Sequence, residues 1–291
     1  MNIFQKLFVK ARGLQWQIHR RFSKFTTVHS KQGVLHIRLG ADDYLGKHLY
    51  TRGQYELDIV SSSLEFLRST GKCPAKGKGT VVDIGANNGV ISIGMLYGGE
   101  FEKAIAIEPE PQNFKLLIEN IQLNGLNERM IPLQYAVSDK AGELVFEISD
   151  ENSGDNRVRV QTDAPERFNE SKRPVIRVNS DVLENLLQKT PQNFKNDIAL
   201  FWIDVQGHEG YIFSSAKDIF LQGVPVVTEL WPYGIYRAGM TQEQFCEIAA
   251  GIWSVYWVKR KQGFIEYPII ELNTFFEELG DEGNFENIIF A

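Results

Sequence analysis

The amino-acid sequence predicts an α/β protein: a mostly parallel sheet with helices on both faces, plus an N-terminal helical extension. Three observations carry this. Short continuous apolar runs at residues 81–84, 104–107 and 198–205 have the make-up of strands buried on both faces. Segments with apolar residues at helical spacing separate such runs, so strand and helix alternate. At residues 81–92 a β-branched strand runs into Gly85, Asn87, Asn88 and Gly89, then resumes an apolar helical pattern. A strand, a tight glycine turn and a helix in that order bring backbone N–H groups up to a ligand at a strand's carboxyl end.

The elements follow in order. Phe4, Leu7, Phe8, Ala11, Leu14, Ile18 and Phe22 recur at helical spacing, with Lys6, Lys10, Arg20 and Arg21 largely between them. The apolar residues are never continuous and no small-residue cleavage site follows, so a secretory signal is not expected. Residues 1–24 instead read as a basic amphipathic helix. It suits peripheral contact with an anionic membrane, a partner or second subunit, or packing on its own domain. Residues 34–39 alternate as a strand. Residues 50–67 read as a loop and then a helix with Leu57, Val60, Leu64 and Leu67 on its apolar face. The Lys-, Gly- and Pro-rich stretch 73–79 marks the boundary between an accessory region, 1–75, and a main domain, 76–291.

In the main domain, helix 90–97 precedes strand 104–107 and helix 112–124, which Gly125 closes. Residues 131–137 read as a third strand and 143–148 as an antiparallel one after a turn. Residues 149–172 form a polar excursion containing Ser153-Gly154-Asp155-Asn156, expected to be a lid or cofactor-side loop. Strand 175–178, helix 181–188, strand 198–205, helix 210–221, strand 224–230, helix 241–253, strand 255–258 and a closing strand 288–290 complete the reading.

Composition narrows the function. Of 291 residues, 43% are hydrophobic and 23% charged, as in a soluble globular protein with a substantial core. Cys73 and Cys246 are the two cysteines and have no paired spacing, which argues against a disulfide framework and suits a reducing, cytoplasmic location. No apolar run approaches the ~20 residues of a membrane span. Residues 1–41 hold eight of the 31 basic residues and no acid, leaving 23 basic against 37 acidic residues in the remainder. An acidic body is a poor match for a polyanion, so nucleic acid is not the expected substrate.

Three acids stand at carboxyl ends of apolar strands: Asp83, Glu108 and Asp204. Asp83 is read as lying in the glycine loop, where it can meet a cationic ligand. Glu108, at the end of the second strand, can accept both hydroxyl hydrogens of a ribose. Together they describe a ribose-bearing, positively charged cofactor rather than a pyrophosphate. Asn87 stands where the glycine pattern of a dinucleotide site needs glycine, and G-K-[ST] of a P-loop is missing, which disfavours a nicotinamide oxidoreductase.

The loop Asp83-Ile84-Gly85-Ala86-Asn87-Asn88-Gly89, followed by Glu108, is similar to the S-adenosylmethionine site of class I methyltransferases. Glu108-Pro109-Glu110-Pro111 with Asn113-Phe114, then Ala136-Val137-Ser138-Asp139, then Ile203-Asp204-Val205-Gln206-Gly207-His208-Glu209 narrow the likeness. With Tyr55-Glu56 and the terminal Asn287-Ile288-Ile289, they resemble the FkbM family of methyltransferases over about residues 50–290. The resemblance implies a Rossmann-like seven-stranded fold and S-adenosylmethionine as cofactor. It also implies O-methylation of a hydroxyl on a small-molecule or glycan acceptor. By the same resemblance Asp83, Gly85, Ala86, Asn87, Gly89, Glu108, Pro109, Asn113, Ala136 and Ser138 are the cofactor residues. The family commonly has Glu where this chain has Gln206.

Asp204, His208 and Glu209 are the catalytic candidates, since methyl transfer to oxygen needs an aligned acceptor and a base. His208 is the one histidine beyond residue 48. Glu229, Trp231 and Tyr233 are expected to line the acceptor pocket, aromatics being suited to sugars. Asp204, Glu209 and Glu229 are also hard oxygen ligands, but their spacing is no metal motif, so a divalent metal is not favoured. A competing expectation is a non-catalytic binding or scaffold protein recruited through its N-terminal helix.

Overall fold

The structure, a computed structural model, describes residues 3–40, 44–149, 152–160 and 166–291, without the side chains of residues 3–5. Phe4 and parts of the 149–172 excursion lie outside the described set.

The chain enters through α1 (Ile3–His19), the hairpin β1 (Phe25–Ser30) and β2 (Gly33–Arg38), α2 (Tyr44–Arg52) and α3 (Leu57–Ser69). The alternation then begins with β3 (Thr80–Ile84), α4 (Val90–Tyr97), β4 (Lys103–Ile107), α5 (Pro111–Leu123) and β5 (Met130–Leu133). An excursion carries β6 (Ala136–Val137), β7 (Gly142–Glu147), β8 (Arg157–Val158) and β9 (Val175–Asp181). The helices α6 (Leu183–Gln188) and α7 (Gln192–Lys195) follow it. The chain continues with β10 (Ile198–Ile203), α8 (Glu209–Ser215), α9 (Lys217–Phe220), β11 (Val226–Leu230), α10 (Pro232–Arg237) and α11 (Gln242–Ala250). It closes with β12 (Val255–Arg260), β13 (Gly263–Pro268), α12 (Leu272–Leu279) and β14 (Glu286–Phe290).

The main sheet has eight strands in the order β13-β12-β14-β11-β10-β3-β4-β5. From β11 to β5 all pairings are parallel; β14 runs antiparallel between β11 and β12. The expected mostly parallel sheet is therefore observed. The strand beyond seven is β13, the outer arm of an edge hairpin with β12. Strand periodicity sorts β3 between two cores. Val81 packs on one face with Leu64, Ile93 and Leu117, while Val82 and Ile84 pack on the other with Leu183, Phe213 and Phe245.

Residues 131–137 are not one strand. β5 ends the main sheet, and β6 joins a separate sheet ordered β6-β9-β7-β8. β7 is antiparallel as expected, but to β8 and β9. Helix 210–221 breaks at Ala216, and residue 50 lies in α2 rather than in a loop. The strands β1 and β13 and the helices α10 and α12 were not expected; their residues are partly exposed or their runs short, which blurs periodicity.

The N-terminal elements share a core with the sheet: Trp16, Leu35, Ile37 and Leu49 cluster with Val81. The hairpin's open edge meets two asparagines of α5 and its C-cap. Asn124 accepts from Val34 N at 2.9 Å and donates to Val34 O at 2.7 Å. Asn120 does the same with His36, at 2.5 and 3.2 Å. Four residues of helix rise about 6 Å and two residues of strand about 6.8 Å, so the spacing matches and each amide copies a strand's donor–acceptor pair.

Candidate active site

A cavity of about 610 Å³ opens at the carboxyl ends of β3, β4, β10 and β11. Its first wall is the turn after β3. Gly85 adopts φ +88°, and a Cβ there would stand 1.9 Å from Asp204 O. Only glycine lets β3 and β10 meet so closely beyond their ends. Asn87 is also left-handed, with φ +52°. Its N–H donates to Glu108 Oε2 at 2.8 Å, and its side-chain amide donates to Ser153 O at 2.8 Å. Glu108 Oε1 accepts from Glu110 N at 2.9 Å. Each Glu108 oxygen thus keeps a spare lone pair toward the cavity.

Ala86, Pro109, Asn113 and Ala136 also line the cavity. Asn113 Oδ1 is buried with no partner among the described residues, an acceptor free for a ligand donor. The Ser153–Asp155 turn packs against this wall, so the expected cofactor-side loop does adjoin the glycine turn. Two predicted cofactor residues do not line it. Gly89 begins α4 behind the turn. Ser138 Oγ is held by His208 Nε2 at 2.9 Å and donates to Asp139 at 3.1 Å. Asp83 lies within β3 rather than in the loop; it lines the cavity and accepts from Ser92 Oγ at 2.5 Å.

The opposite wall follows β10 and β11. Asp204, His208, Glu229 and Trp231 line it. Gln206, at a left-handed φ of +56°, donates its amide to Asp204 Oδ1 at 2.6 Å and to Glu229 Oε2 at 3.4 Å. A neutral donor thus stands between two carboxylates where a glutamate would repel both. Glu209 does not line the cavity. Its Oε1 turns back to accept from Val205 N and Gly207 N, closing its own turn. Tyr233 is likewise not a wall residue: its hydroxyl donates to Glu170 and accepts from Arg167 N, because α10 turns its ring behind Trp231. Of the three residues expected in the acceptor pocket, Glu229 and Trp231 line the cavity and Tyr233 does not.

Behind Trp231 lies a buried ion network. Arg157 bonds Glu147 at 2.9 Å and Glu170 at 2.7 Å, and its guanidinium lies 5.0 Å from the Trp231 ring centre. Arg159 and Arg173 reach the same Glu147. The stretch read as a polar excursion is thereby pinned.

Glu56 and Asp155 join the cavity wall from outside the predicted set. Glu56 precedes α3 at φ +51°. Asp155 lies in the Ser153–Asn156 stretch expected beside the cofactor; Glu56 belongs to the Tyr55-Glu56 pair of the FkbM resemblance, which by itself assigns it no place in the site.

Six carboxylates face one cavity. Burial pushes Glu56 and Asp83 up to about 7 and Glu108 up to about 8. Behind the wall, burial brings Glu209 to about 7. Burial, then the Asp204 charge, raises Glu229. His208 moves the other way, to about 4 through burial, and is neutral at pH 7. Its Nδ1 has no partner among the described residues.

Unfolded carboxyls ionise near 4, so the folded protein holds protons that the unfolded chain has lost. Stability therefore falls as pH rises through the window from about 4 to about 8. His208 acts in the opposite sense only below about 6.5. The ligand-free protein is expected to melt lower at about pH 8.5 than at about pH 6.5 by scanning calorimetry. A cationic ligand is expected to narrow that gap. Equal melting temperatures would show that the wall carboxyls ionise normally.

Among the described residues no group of three or more His, Cys, Asp or Glu is arranged to hold a metal ion. None of their helices is long and apolar enough to cross a membrane. Cys73 and Cys246 are buried and unpaired.

A parallel sheet whose central strand turns through glycine into a helix, with an acid from the next strand closing a cavity, defines the class of nucleotide-binding open α/β domains. The comparisons make this specific. The family model of the methyltransferase FkbM domain matches residues 83–281, and the chain belongs to that family. Among solved structures it is similar to methyltransferase FkbM from Methylobacillus flagellatus KT. Identity there is 13% over 86% of this chain and 56% of that one, with TM-score 0.42. It is also similar to the M. jannaschii tRNA m1G37 methyltransferase, at 11% identity over 93% and 57%, TM-score 0.40. A third is precorrin-6y C5,15-methyltransferase from Geobacter metallireducens GS-15, at 13% over 80% and 86%, TM-score 0.38. The chain spans less than three fifths of the first two. Comparison with curated proteins finds no match.

Proposed function

We propose that the protein is an S-adenosylmethionine-dependent O-methyltransferase acting on a hydroxyl of a sugar, glycan or small metabolite. The observation that carries this is the pairing of the Gly85–Asn87 turn with Glu108 in a cavity lined by six carboxylates. The donor set fits the cofactor. Glu108 has lone pairs for a ribose diol, and Asn113 Oδ1 is an unmet acceptor. Ala136, Phe146 and Val158 provide an apolar wall for a flat base. Asp83 and its acidic neighbours favour a cationic tail.

S-adenosylmethionine supplies an electrophilic methyl on a sulfonium. The chain's own groups must bind the acceptor, align its oxygen and take its proton. Asp204 is the base in this reading. It lines the cavity, burial raises its affinity for protons, and Gln206 holds one of its oxygens while Glu229 stands beside it. Burial lowers the basicity of His208, and its Nε2 is engaged with Ser138 Oγ at 2.9 Å, which favours Asp204 for that role. Trp231 offers an aromatic face to a sugar ring.

Calorimetry with S-adenosylmethionine tests the cofactor. Wild type is expected to bind it, and Glu108→Gln to bind about 100-fold more weakly at a pH above about 8, where the Glu108 carboxyl is ionised, since charge-assisted hydrogen bonds contribute about 1.5–3 kcal/mol each. No binding to wild type would sink the proposal. Release of labelled methyl to hydroxylated acceptors then separates an enzyme from a scaffold that binds without turnover.

A further inference from the structure

We propose that α1 seats the protein on an anionic membrane surface. The helix is held to the body by one side only. Trp16 is 1% exposed, and its ring meets Tyr50 edge-on. Arg12 donates twice to Tyr50 O, at 3.0 and 2.8 Å, and lies over the Tyr50 ring. The apolar stripe points elsewhere. At 100° per residue Leu7, Leu14 and Ile18 project within about 40° of one another, and Trp16 projects from the opposite side. Those three and the adjoining Phe8 are each more than half exposed, and Phe22, in the turn after the helix, is 84% exposed. Packing on its own domain therefore does not cover this stripe.

Charge selects the occupant. Lys6 and Lys10 border the stripe, and the first 41 residues contain eight basic residues and no acid. Phospholipid headgroups of negative charge complement such a face, while the apolar side chains enter the acyl boundary. A second copy would set one cationic segment against another. The acidic remainder is repelled from the same surface, so the helix is the end that approaches it.

Flotation of the full chain with vesicles tests this, using phosphatidylcholine alone and a 3:1 mixture with phosphatidylglycerol. Binding is expected on the anionic vesicles, at least tenfold weaker on the neutral ones and weakened by salt. The double variant Leu14→Glu, Ile18→Glu is expected to lose at least tenfold in partitioning while melting at the wild-type temperature. The charge variant Lys6→Glu, Lys10→Glu should fall with it. Equal, weak partitioning of wild type into both vesicle types would overturn the proposal, as would undiminished binding by the Leu14, Ile18 variant. A stable dimer dispersed by Leu14→Glu, seen by light scattering, would assign the face to a second copy and overturn it too.

Discussion

Arg157→Ala is expected to destabilise the fold by about 3–5 kcal/mol in denaturant unfolding, the cost of breaking a buried ion pair by removing one partner. Arg157 is 3% exposed and stands between Glu147 and Glu170, each exposed by no more than that. Once it is gone, Glu147 keeps Arg159 and Arg173, whereas Glu170 keeps only neutral donors, Tyr233 Oη and Phe168 N, among its side-chain bonds described here. The penalty therefore falls on Glu170. Adding Glu170→Gln to Arg157→Ala is expected to recover part of the loss, because an amide needs no counter-charge. No recovery would mean that the cost comes from lost packing against Trp231 instead. Under the acceptor role proposed for Trp231, acceptor binding should weaken alongside, since Arg157 supports that ring from behind.

Gly85→Ala is expected to weaken S-adenosylmethionine binding at least 100-fold and to lower stability by more than about 2 kcal/mol. The added methyl would meet Asp204 O at 1.9 Å and Asp204 C at 2.9 Å, both backbone atoms anchored at the end of a central strand. Neither can swing aside as a flexible side chain would. Relief requires the ends of β3 and β10 to part, which displaces the turn from Glu108 and Asp204 from its place. Gly71→Ala provides the comparison: its φ of +73° is similar, and nothing lies within 4 Å of its missing Cβ. It isolates the backbone strain alone, about 1–2 kcal/mol. Calorimetric titration and unfolding of both variants check this, and equal effects would refute the close-approach argument.

The alternating core was readable because each unit announces itself locally. β10 is an unbroken apolar run, β4 is one after Lys103, β3 is interrupted only by Asp83, α4 is apolar almost throughout and α5 carries an apolar face at helical spacing. Glu108 and Asp204 were legible for a related reason: in a parallel sheet, the residue after an apolar run is at the ligand edge. Side-chain direction was less so. Glu209 and Tyr233 neighbour cavity residues in sequence, yet one folds back on its own turn and the other points behind Trp231. Glu56 and the Arg157 network depend on segments distant in sequence, and polar character alone marked the network's segment as an excursion. The stripe on α1 was readable, but not that Trp16 and Arg12, off the stripe, would do the anchoring.

The Asn120–Asn124 pair has a consequence for how the protein behaves in company. A two-stranded hairpin leaves a free row of N–H and C=O groups, a template on which another chain can add a strand. Here both amides occupy the outward groups of Val34 and His36 as a third strand would, yet a helix-borne amide has no further edge to pass on. The ladder ends inside the molecule. Two side chains thus close the β2 edge of the hairpin to strand addition, a safeguard most sheets obtain from a bulge, a proline or a lysine.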